Sequence, residues 1–159
     1  DDLPRVGVSF PLPEGFTVVS WWGNGPHECY PDRESSAMLG MYSGEADELP
    51  YLVPQEYGLR TQCRWFEVRN PRTEEVIRIE AESGPLHMSA LPYTTQDLYQ
   101  AADQSELIKR PYLTMNIDVA HRGLGTASCG PDVLPKYRIQ PGKFQFAYVI
   151  SRESRGANR

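Results

Sequence analysis

Apolar and polar side chains alternate along five separate stretches of the chain, and this period of two is typical of β-strands that bury one face. Each stretch is short and bounded by turn-forming residues, which predicts antiparallel strands joined by turns. The 159 residues include 13 glycines and 14 prolines, and this content favours many turns over long helices. We therefore predict an all-β fold, an antiparallel β-sandwich, with alternating strands at residues 6–10, 77–81, 86–90, 113–117 and 144–150.

Three further segments have a recognisable local pattern. Residues 16–22 and 62–69 carry bulky aromatic side chains and are predicted to be strands. Residues 95–107 are predicted to form one short helix, because threonines at its start can cap it and Asp97 suits its first turn. Pro111 cannot continue that helix, so it must end before this residue.

No repeat or low-complexity linker divides the sequence, so we predict that residues 1–159 form a single domain. The turn-rich stretches 23–60 and 118–137 are predicted to be loops. Loops carry binding and catalytic groups more often than strands do, so we expect function to be located in these two stretches.

Charge and cysteine usage exclude several classes of protein. The net charge is −5, whereas a nucleic-acid-binding domain usually has a basic excess. No apolar run approaches the roughly 20 residues of a membrane-spanning helix, so we expect no membrane partner. The three cysteines, Cys29, Cys63 and Cys129, form no CxxC pair, which argues against a zinc site and against a disulfide scaffold. Together with the lack of a signal peptide, this pattern predicts a cytoplasmic location.

The first long loop begins with a cluster of aromatic and acidic residues. Trp21, Trp22 and Tyr30 offer ring faces that can cover the apolar side of a sugar. One hypothesis is therefore a stand-alone carbohydrate-binding β-sandwich module. The alternative, which we favour, is a structural loop that is fixed by proline and by ion pairs around Asp32 and Arg33.

The same region contains three carboxylates, Glu28, Asp32 and Glu56, and two of them could in principle form the catalytic pair of a glycosidase. A retaining pair needs its two carboxyl groups about 5 Å apart, which a sequence does not show. Carboxylates that are paired with arginine for structural reasons are more common, and Arg60 follows Glu56 by four residues.

The second long loop contains residue types that occur in catalytic and metal sites. His121, Cys129 and Asp132 supply the types needed for a thiol nucleophile and its base, and Asp118 with His121 supplies two metal ligands. Neither set is complete enough to predict a site. The fragment 123–125 reads as a turn, and His87 alternates with core residues, which places it on the solvent face.

Taken in order, these segments resemble one family, the glycoside hydrolase family 2 β-galactosidases, in the C-terminal domain called the β-galactosidase small chain. The resemblance extends over nearly the whole chain. It is carried by Trp21-x-Gly23-x-Gly25-Pro26-x-Glu28-x-Tyr30-Pro31-Asp32-Arg33, Tyr51-x-x-Pro54-Gln55-Glu56-x-Gly58-x-Arg60, Ser89-Ala90-Leu91-Pro92-Tyr93, Asn116-Ile117-Asp118 and Gly123-Leu124-Gly125-Thr126-Ala127-Ser128-Cys129-Gly130-Pro131.

The resemblance implies a supersandwich, similar to mutarotase domains, packed on an (α/β)₈ barrel in the rest of a larger enzyme. It implies retaining hydrolysis of terminal β-galactosides such as lactose, with two catalytic glutamates, Mg²⁺ and Na⁺ in the barrel region. We therefore expect no catalytic residue and no metal site in this segment, because Glu28 and Glu56 match positions of the supersandwich itself.

The resemblance also implies that one loop of this domain reaches over the galactose pocket, often with a tryptophan that stacks on the sugar. Cys129 stands at or beside that place, so Cys129, Ser128 and Asp132 are the candidate substrate-binding residues. Mutarotase-like activity, with His121 as the acid, is a further hypothesis that rests on the analogy between sandwiches.

The family domain is about twice as long as this chain, so we expect a fragment with uncovered strand edges. Such edges pair with other chains, which predicts a homo-oligomer or pairing with the rest of the enzyme.

Overall fold

Two antiparallel sheets form the fold, as the alternating pattern predicts. The computed structural model describes residues 2–47, 51–126 and 130–154. The strands are β1 (Arg5–Pro11), β2 (Val18–Gly25), β3 (Met38–Glu45), β4 (Arg60–Cys63), β5 (Trp65–Arg69), β6 (Glu75–Ala81), β7 (Leu86–Leu91), β8 (Thr114–His121) and β9 (Tyr148–Ser154). One sheet has the order β1-β8-β7-β4 and the other has the order β3-β2-β5-β6-β9. The predicted all-β antiparallel sandwich is confirmed.

The main core lies between the two sheets. Met88 and Met115 of the four-stranded sheet belong to the same buried cluster as Phe66 and Ile79 of the five-stranded sheet. Each of these residues occupies the inward position of its strand, since successive side chains point to opposite faces. The alternation in the sequence is therefore the pattern of this shared core.

The outer face of the four-stranded sheet is also buried, but its side chains are polar. Ser89 on β7 and Asn116 on β8 are joined by a hydrogen bond of 3.1 Å from Asn116 Nδ2 to Ser89 Oγ. Segments 28–30 and 56–59 lie over this face, and the backbone N–H of Cys29 donates to the carbonyl of Leu59 at 2.8 Å. Parts of two of the stretches that carry the resemblance thus cover a polar sheet face.

His87 lies on this covered face, so its prediction as a solvent-facing residue was wrong. Its side chain is half-buried, and its Nδ1 has no hydrogen-bond partner among the described residues. Burial, together with the nearby His121, lowers the pKa of His87 to about 4. The ring is therefore neutral in the folded protein at neutral pH.

This shift predicts an acid-sensitive contribution to stability. The folded pKa is below the ordinary value of 6.5, so the unfolded chain binds the proton first as the pH falls. The contribution of His87 to the free energy of unfolding is fully present above pH 6.5. It is lost as the pH falls toward 4, and this loss amounts to at most about 3 kcal/mol. Burial raises the pKa of Glu56 and of Asp118, so the folded state binds these two protons before the unfolded chain does. Their effect on the free energy of unfolding is therefore to increase it as the pH falls.

Replacing His87 with glutamine is therefore expected to reduce the loss of stability between pH 7 and pH 4.5. Urea unfolding followed by tryptophan fluorescence at both pH values measures this loss. His27, which is exposed, provides the control substitution His27→Gln. An equal decline in the wild-type protein and in the His87→Gln variant would contradict the assignment.

Three predictions about strands differ from the structure. Residues 62–69 are not one strand: β4 and β5 belong to different sheets, with the break at Arg64, and Gln62 within β4 has a φ of 57°. Residues 38–45, expected within a loop, form β3, an edge strand that is largely exposed and lacks the alternating pattern. At the last strand, β9 begins at Tyr148, so Phe144 and Phe146 lie before it.

The predicted helix of residues 95–107 is shorter in the structure, where α1 spans Thr95–Gln100. A capping box starts it, with the Asp97 backbone N–H donating to Thr94 Oγ1 at 3.1 Å and the Thr94 N–H donating to Asp97 Oδ2 at 2.8 Å. Ala101 is extended, and a separate 3₁₀ helix follows at Gln104–Glu106, capped by Asp103. The helix ends early because the Asp103 cap starts a new turn.

Candidate functional site

The two long loops meet at Asp32. Its carboxylate accepts hydrogen bonds from the backbone N–H of Leu124 at 3.1 Å and of Gly125 at 2.8 Å, across more than 90 residues of sequence. Arg33 adds a bond from its guanidinium to the carbonyl of Gly125 at 3.4 Å. The first loop therefore fixes the start of the second, and Asp32 bonds to backbone amides rather than to an arginine.

Both glycines of segment 123–125 are required by the local geometry of this loop. A Cβ atom at Gly123 would lie 2.7 Å from Cγ of Asp32 and 2.7 Å from Cγ2 of Val133. Gly125 has a φ of 65°, a left-handed conformation that glycine adopts at little cost. Residues 123–125 form no hydrogen-bonded turn, so that prediction was wrong; the segment is an irregular loop whose amides bind Asp32.

The two ends of the following loop are held together. Thr126 Oγ1 donates to the carbonyl of Pro131 at 3.0 Å. Arg122 donates to both oxygens of Asp132, at 2.8 and 2.7 Å, and Arg138 donates to the same carboxylate at 3.1 Å. The hydrogen bond from Arg122 lowers the pKa of Asp132, which keeps this carboxyl ionised. We call Asp32, residues 122–126 and residues 131–132 the loop root.

The candidate substrate-binding residues lie on and beyond this root. Asp132 is at one end of the loop, with its side chain 40% exposed beside Arg122. Ser128 and Cys129 lie outside the described residues. The assignment of these three residues to substrate binding stays a prediction.

A buried ion cluster lies beside the loop root, on the outer face of the four-stranded sheet. Arg5 donates to both oxygens of Asp118, and its guanidinium is 3.7 Å from a carboxylate oxygen of Glu56. The hydroxyl of Tyr30 donates to Glu56 at 3.2 Å, and Nε2 of His121 is 3.8 Å from the same carboxylate. These side chains bind one another in the cover over the sheet.

Within this cluster, His121 contacts its neighbours both through a ring nitrogen and through the ring itself. Its Nδ1 donates to the carbonyl of Arg122 at 2.7 Å, and the Tyr30 ring lies edge-on with centroids 5.3 Å apart. Burial lowers the pKa of His121. Since the ring is buried, it offers no open face to a sugar, and this placement argues against mutarotase-like activity.

No group of three or more histidine, cysteine, aspartate or glutamate side chains is arranged to hold a metal ion within residues 2–47, 51–126 and 130–154. Asp118 is bound to Arg5 and His121 to Arg122, so this pair does not fit the Mg²⁺ or Na⁺ that the resemblance implies for the whole enzyme.

The three candidate carboxylates of the sequence are all engaged inside the domain. Glu28 accepts a bond from the hydroxyl of Tyr51 and, at 2.7 Å, one from the backbone N–H of Gly58. Asp32 holds the loop root, and Glu56 belongs to the ion cluster. These contacts support the structural interpretation of all three carboxylates.

The proposed sugar platform of Trp21, Trp22 and Tyr30 is not assembled. Trp21 is 2% exposed in the core between the sheets, whereas Trp22 points to the opposite face of the same strand. Tyr30 is fully buried over the other sheet. The hypothesis of a binding module that uses these three rings together was wrong, because neighbouring strand residues face opposite sides.

The two described cysteines are buried and unreactive in character. Burial raises the pKa of Cys29 to about 11 and that of Cys63 to about 12. A thiolate is the reactive form of cysteine, so neither residue is activated at neutral pH.

A separate cavity of about 330 Å³ is lined by residues of both sheets and by residues of segments 26–28 and 57–60. Phe66 and Leu91 contribute apolar wall, and Tyr57 and Arg60 contribute polar groups. The Arg60 guanidinium lies 4.5 Å from the ring centroid of Trp21, and burial lowers the pKa of Arg60. None of the residues that line this cavity belongs to the loop root.

Sequence reasoning missed the arginines of the site. Arg122 and Arg138 hold Asp132, and Arg5 holds Asp118. A signal was present for Arg122, because it and Asp132 place opposite charges just outside the two ends of the loop. Arg5 carries no such signal, since its partner is 113 residues away.

In the part of the chain that the structure describes, no helix has the length and apolar character needed to cross a membrane.

Comparison with known proteins gives a consistent result. Residues 1–150 match the protein family described as "Beta galactosidase small chain". The chain is 36% identical to a β-galactosidase of Arthrobacter sp. (strain B7) over 145 residues, which are 87% of this chain and 14% of that protein. It is 36% identical to a β-galactosidase of Vibrio cholerae, over 93% of this chain and 14% of the relative. For the Kluyveromyces lactis β-galactosidase the identity is 31%, over 96% of this chain and 15% of the relative. The chain therefore spans about 14–15% of the length of these curated relatives.

Proposed function

The chain belongs to the beta galactosidase small chain family, and from this we propose that it serves as the C-terminal domain of a retaining β-galactosidase that hydrolyses terminal β-galactosides such as lactose. The observation that carries the proposal is that relatives named β-galactosidase contain this segment as about one seventh of their length. The catalytic glutamates would then lie in an (α/β)₈ barrel elsewhere in the polypeptide, and this domain would have a supporting role.

We further propose that the loop above the root faces the galactose pocket. In this arrangement Ser128 and Cys129 contact the sugar, and Asp132 offers its exposed side to a hydroxyl while Arg122 holds the carboxylate. A thiol has no ring face to stack on a sugar, so the loop would act by shape and hydrogen bonding. A loop whose two ends are fixed loses little freedom on binding, which supports this role.

The proposal includes the partners that the resemblance implies. These are the rest of the β-galactosidase chain, Mg²⁺ and Na⁺ bound in the barrel region, and other copies of the enzyme in a homo-oligomer. It also includes a cytoplasmic location. Since no group of three or more acidic, histidine or cysteine side chains among the described residues is arranged to hold a metal ion, Mg²⁺ and Na⁺ would bind elsewhere in the enzyme.

Protection of Cys129 from alkylation tests the position of the loop. Iodoacetamide is added to the complete enzyme with and without a non-hydrolysable thiogalactoside, and modification of each cysteine is followed by mass spectrometry. We expect the sugar to slow alkylation of Cys129. Cys29 and Cys63, whose thiols are buried, are internal controls that should react slowly in both samples.

Glucose at the same concentration is the control for a non-specific effect of sugar. If the thiogalactoside leaves the alkylation rate of Cys129 unchanged while it inhibits hydrolysis, the loop does not face the galactose pocket and this part of the proposal fails.

A further inference from the structure

The outer face of the five-stranded sheet carries a row of large side chains in register. Trp22 on β2 is paired directly with Met41 on β3 and with Trp65 on β5. Directly paired residues of neighbouring strands point to the same face, so the three side chains are adjacent. We call Met41, Trp22 and Trp65 the tryptophan row.

The row is exposed. Met41 is 75% exposed and Trp22 is 41% exposed, and Leu39 extends the apolar surface along β3. An exposed apolar surface of this kind on a folded domain marks an interaction site. Tryptophan, methionine and arginine are also the residue types that are enriched where proteins contact proteins.

Two arginines lie over the rings of this row. The Arg78 guanidinium is 4.5 Å from the ring centroid of Trp65, and the Arg64 guanidinium is 5.8 Å from that of Trp22. Arg78 is paired with Glu67 at 2.6 Å and with Glu80 at 2.8 Å. These guanidinium groups occupy ring faces that a sugar would need, so the row is better suited to a protein partner.

Arg64 differs from Arg78 because it forms no ion pair with any described residue. Its guanidinium donates to the carbonyl of Gln62 at 2.5 Å. A partner that covers the row would remove Arg64 from water, and a carboxylate on that partner would then compensate its charge. On the same face, Glu67 and Glu80 are already paired with Arg78, and the remaining acids, Glu45 at the end of β3 and Glu153 on the edge strand β9, lie away from the row.

Resting on the proposed function, we propose that the tryptophan row packs against a segment of the same β-galactosidase polypeptide that lies outside residues 1–159. This segment presents apolar side chains to Met41 and Trp22 and a carboxylate to Arg64. The relatives are long enough to contain such a segment, since about 85% of their length lies outside the matched part.

Hydroxyl-radical footprinting of the complete enzyme tests this proposal. Oxidation of each residue is measured by mass spectrometry and normalised to the intrinsic reactivity of its type. We expect Met41 and Trp22 to lose their reactivity down to the level of Met88 and Met115, which are fully buried. Tyr99 is 86% exposed and lies outside the row, so it should keep the rate of an open site.

The measurement is repeated at protein concentrations above and below the point at which the subunits dissociate. Protection of the row at both concentrations supports the proposal. Protection only in the associated enzyme would assign the row to a second copy, and protection only after addition of a galactoside would assign it to a sugar. Either result, or oxidation of Met41 at the normalised rate of Tyr99, overturns the proposal.

A variant provides an independent check that does not depend on the loop root. Met41→Glu in the complete enzyme should expose Trp22 to oxidation, because a buried unpaired carboxylate separates the two surfaces. Ile108→Glu changes an exposed apolar residue outside the row and should leave Trp22 protected. Since footprinting measures the row directly, a failure of the proposed loop function would leave this result unaffected.

Discussion

Replacing Asp32 with alanine in the complete enzyme is expected to lower kcat/KM for a chromogenic β-galactoside by about 10- to 100-fold, because small displacements of a positioning element have effects of this size. The variant removes both acceptors for the Leu124 and Gly125 amides. The loop that carries Ser128 and Cys129 would then lose its fixed start. Steady-state hydrolysis and circular dichroism, measured on the same preparation, check that activity falls while the fold is kept.

Two matched variants sharpen this prediction. Asp32→Asn keeps one acceptor oxygen but turns an NH₂ group toward the second amide, so its kcat/KM should lie between those of the wild type and the alanine variant. Asp103→Ala removes an exposed carboxylate that caps the 3₁₀ helix, with no contact to the loop root, and should leave kcat/KM unchanged. Equal kcat/KM values for Asp32→Ala and Asp103→Ala would show that the loop root does not position a loop at the galactose pocket.

Replacing Asp118 with alanine is expected to lower the free energy of unfolding by about 3 kcal/mol, the lower part of the range for removing one partner of a buried ion pair. Asp118 is almost fully buried, and its loss leaves the Arg5 guanidinium without its main carboxylate. Arg5 keeps about a quarter of its side chain in solvent, so it can regain part of its hydration. Urea unfolding followed by tryptophan fluorescence measures the loss.

A double variant distinguishes loss of the pair from loss of packing. Arg5→Met combined with Asp118→Leu removes both charges and fills the space with apolar atoms, so it should be more stable than Asp118→Ala alone. Arg152→Ala removes an exposed ion pair with Glu75 and should change the free energy by less than about 1 kcal/mol. A loss for Asp118→Ala no larger than that for Arg152→Ala would contradict a structural role for the cluster.

The sequence predicts the strands that face the shared core, because burial of one face produces a period of two. It does not predict β3, since Gly40 and Tyr42 are partly buried while the apolar residues Met38, Leu39 and Met41 are exposed, which gives no apolar alternation. At the break between β4 and β5, Cys63 and Phe66 both belong to the core. Residues three apart on one regular strand face opposite sides, so this spacing was a signal that residues 62–69 are not a single strand.

The candidate site shows a similar limit. The two glycines of segment 123–125 and the acidic character of the first loop are visible in the sequence, but the contact between Asp32 and Gly125 is not. Such contacts depend on how two sheets and their loops pack. The same applies to His87, whose alternation places it away from the core while segments from elsewhere in the chain cover its face.

The pairing of β1 with β8 has a consequence for how the domain is made. Arg5 is opposite His121 and Pro11 is opposite Thr114, so β1 must wait during synthesis until more than 100 further residues have left the ribosome. The other sheet also waits for its last strand, because β9 pairs with β6. Sheets that depend on such distant pairings fold in milliseconds to seconds rather than microseconds. We therefore expect the loop root, which forms after β8, to be among the last parts of the nascent domain to assemble.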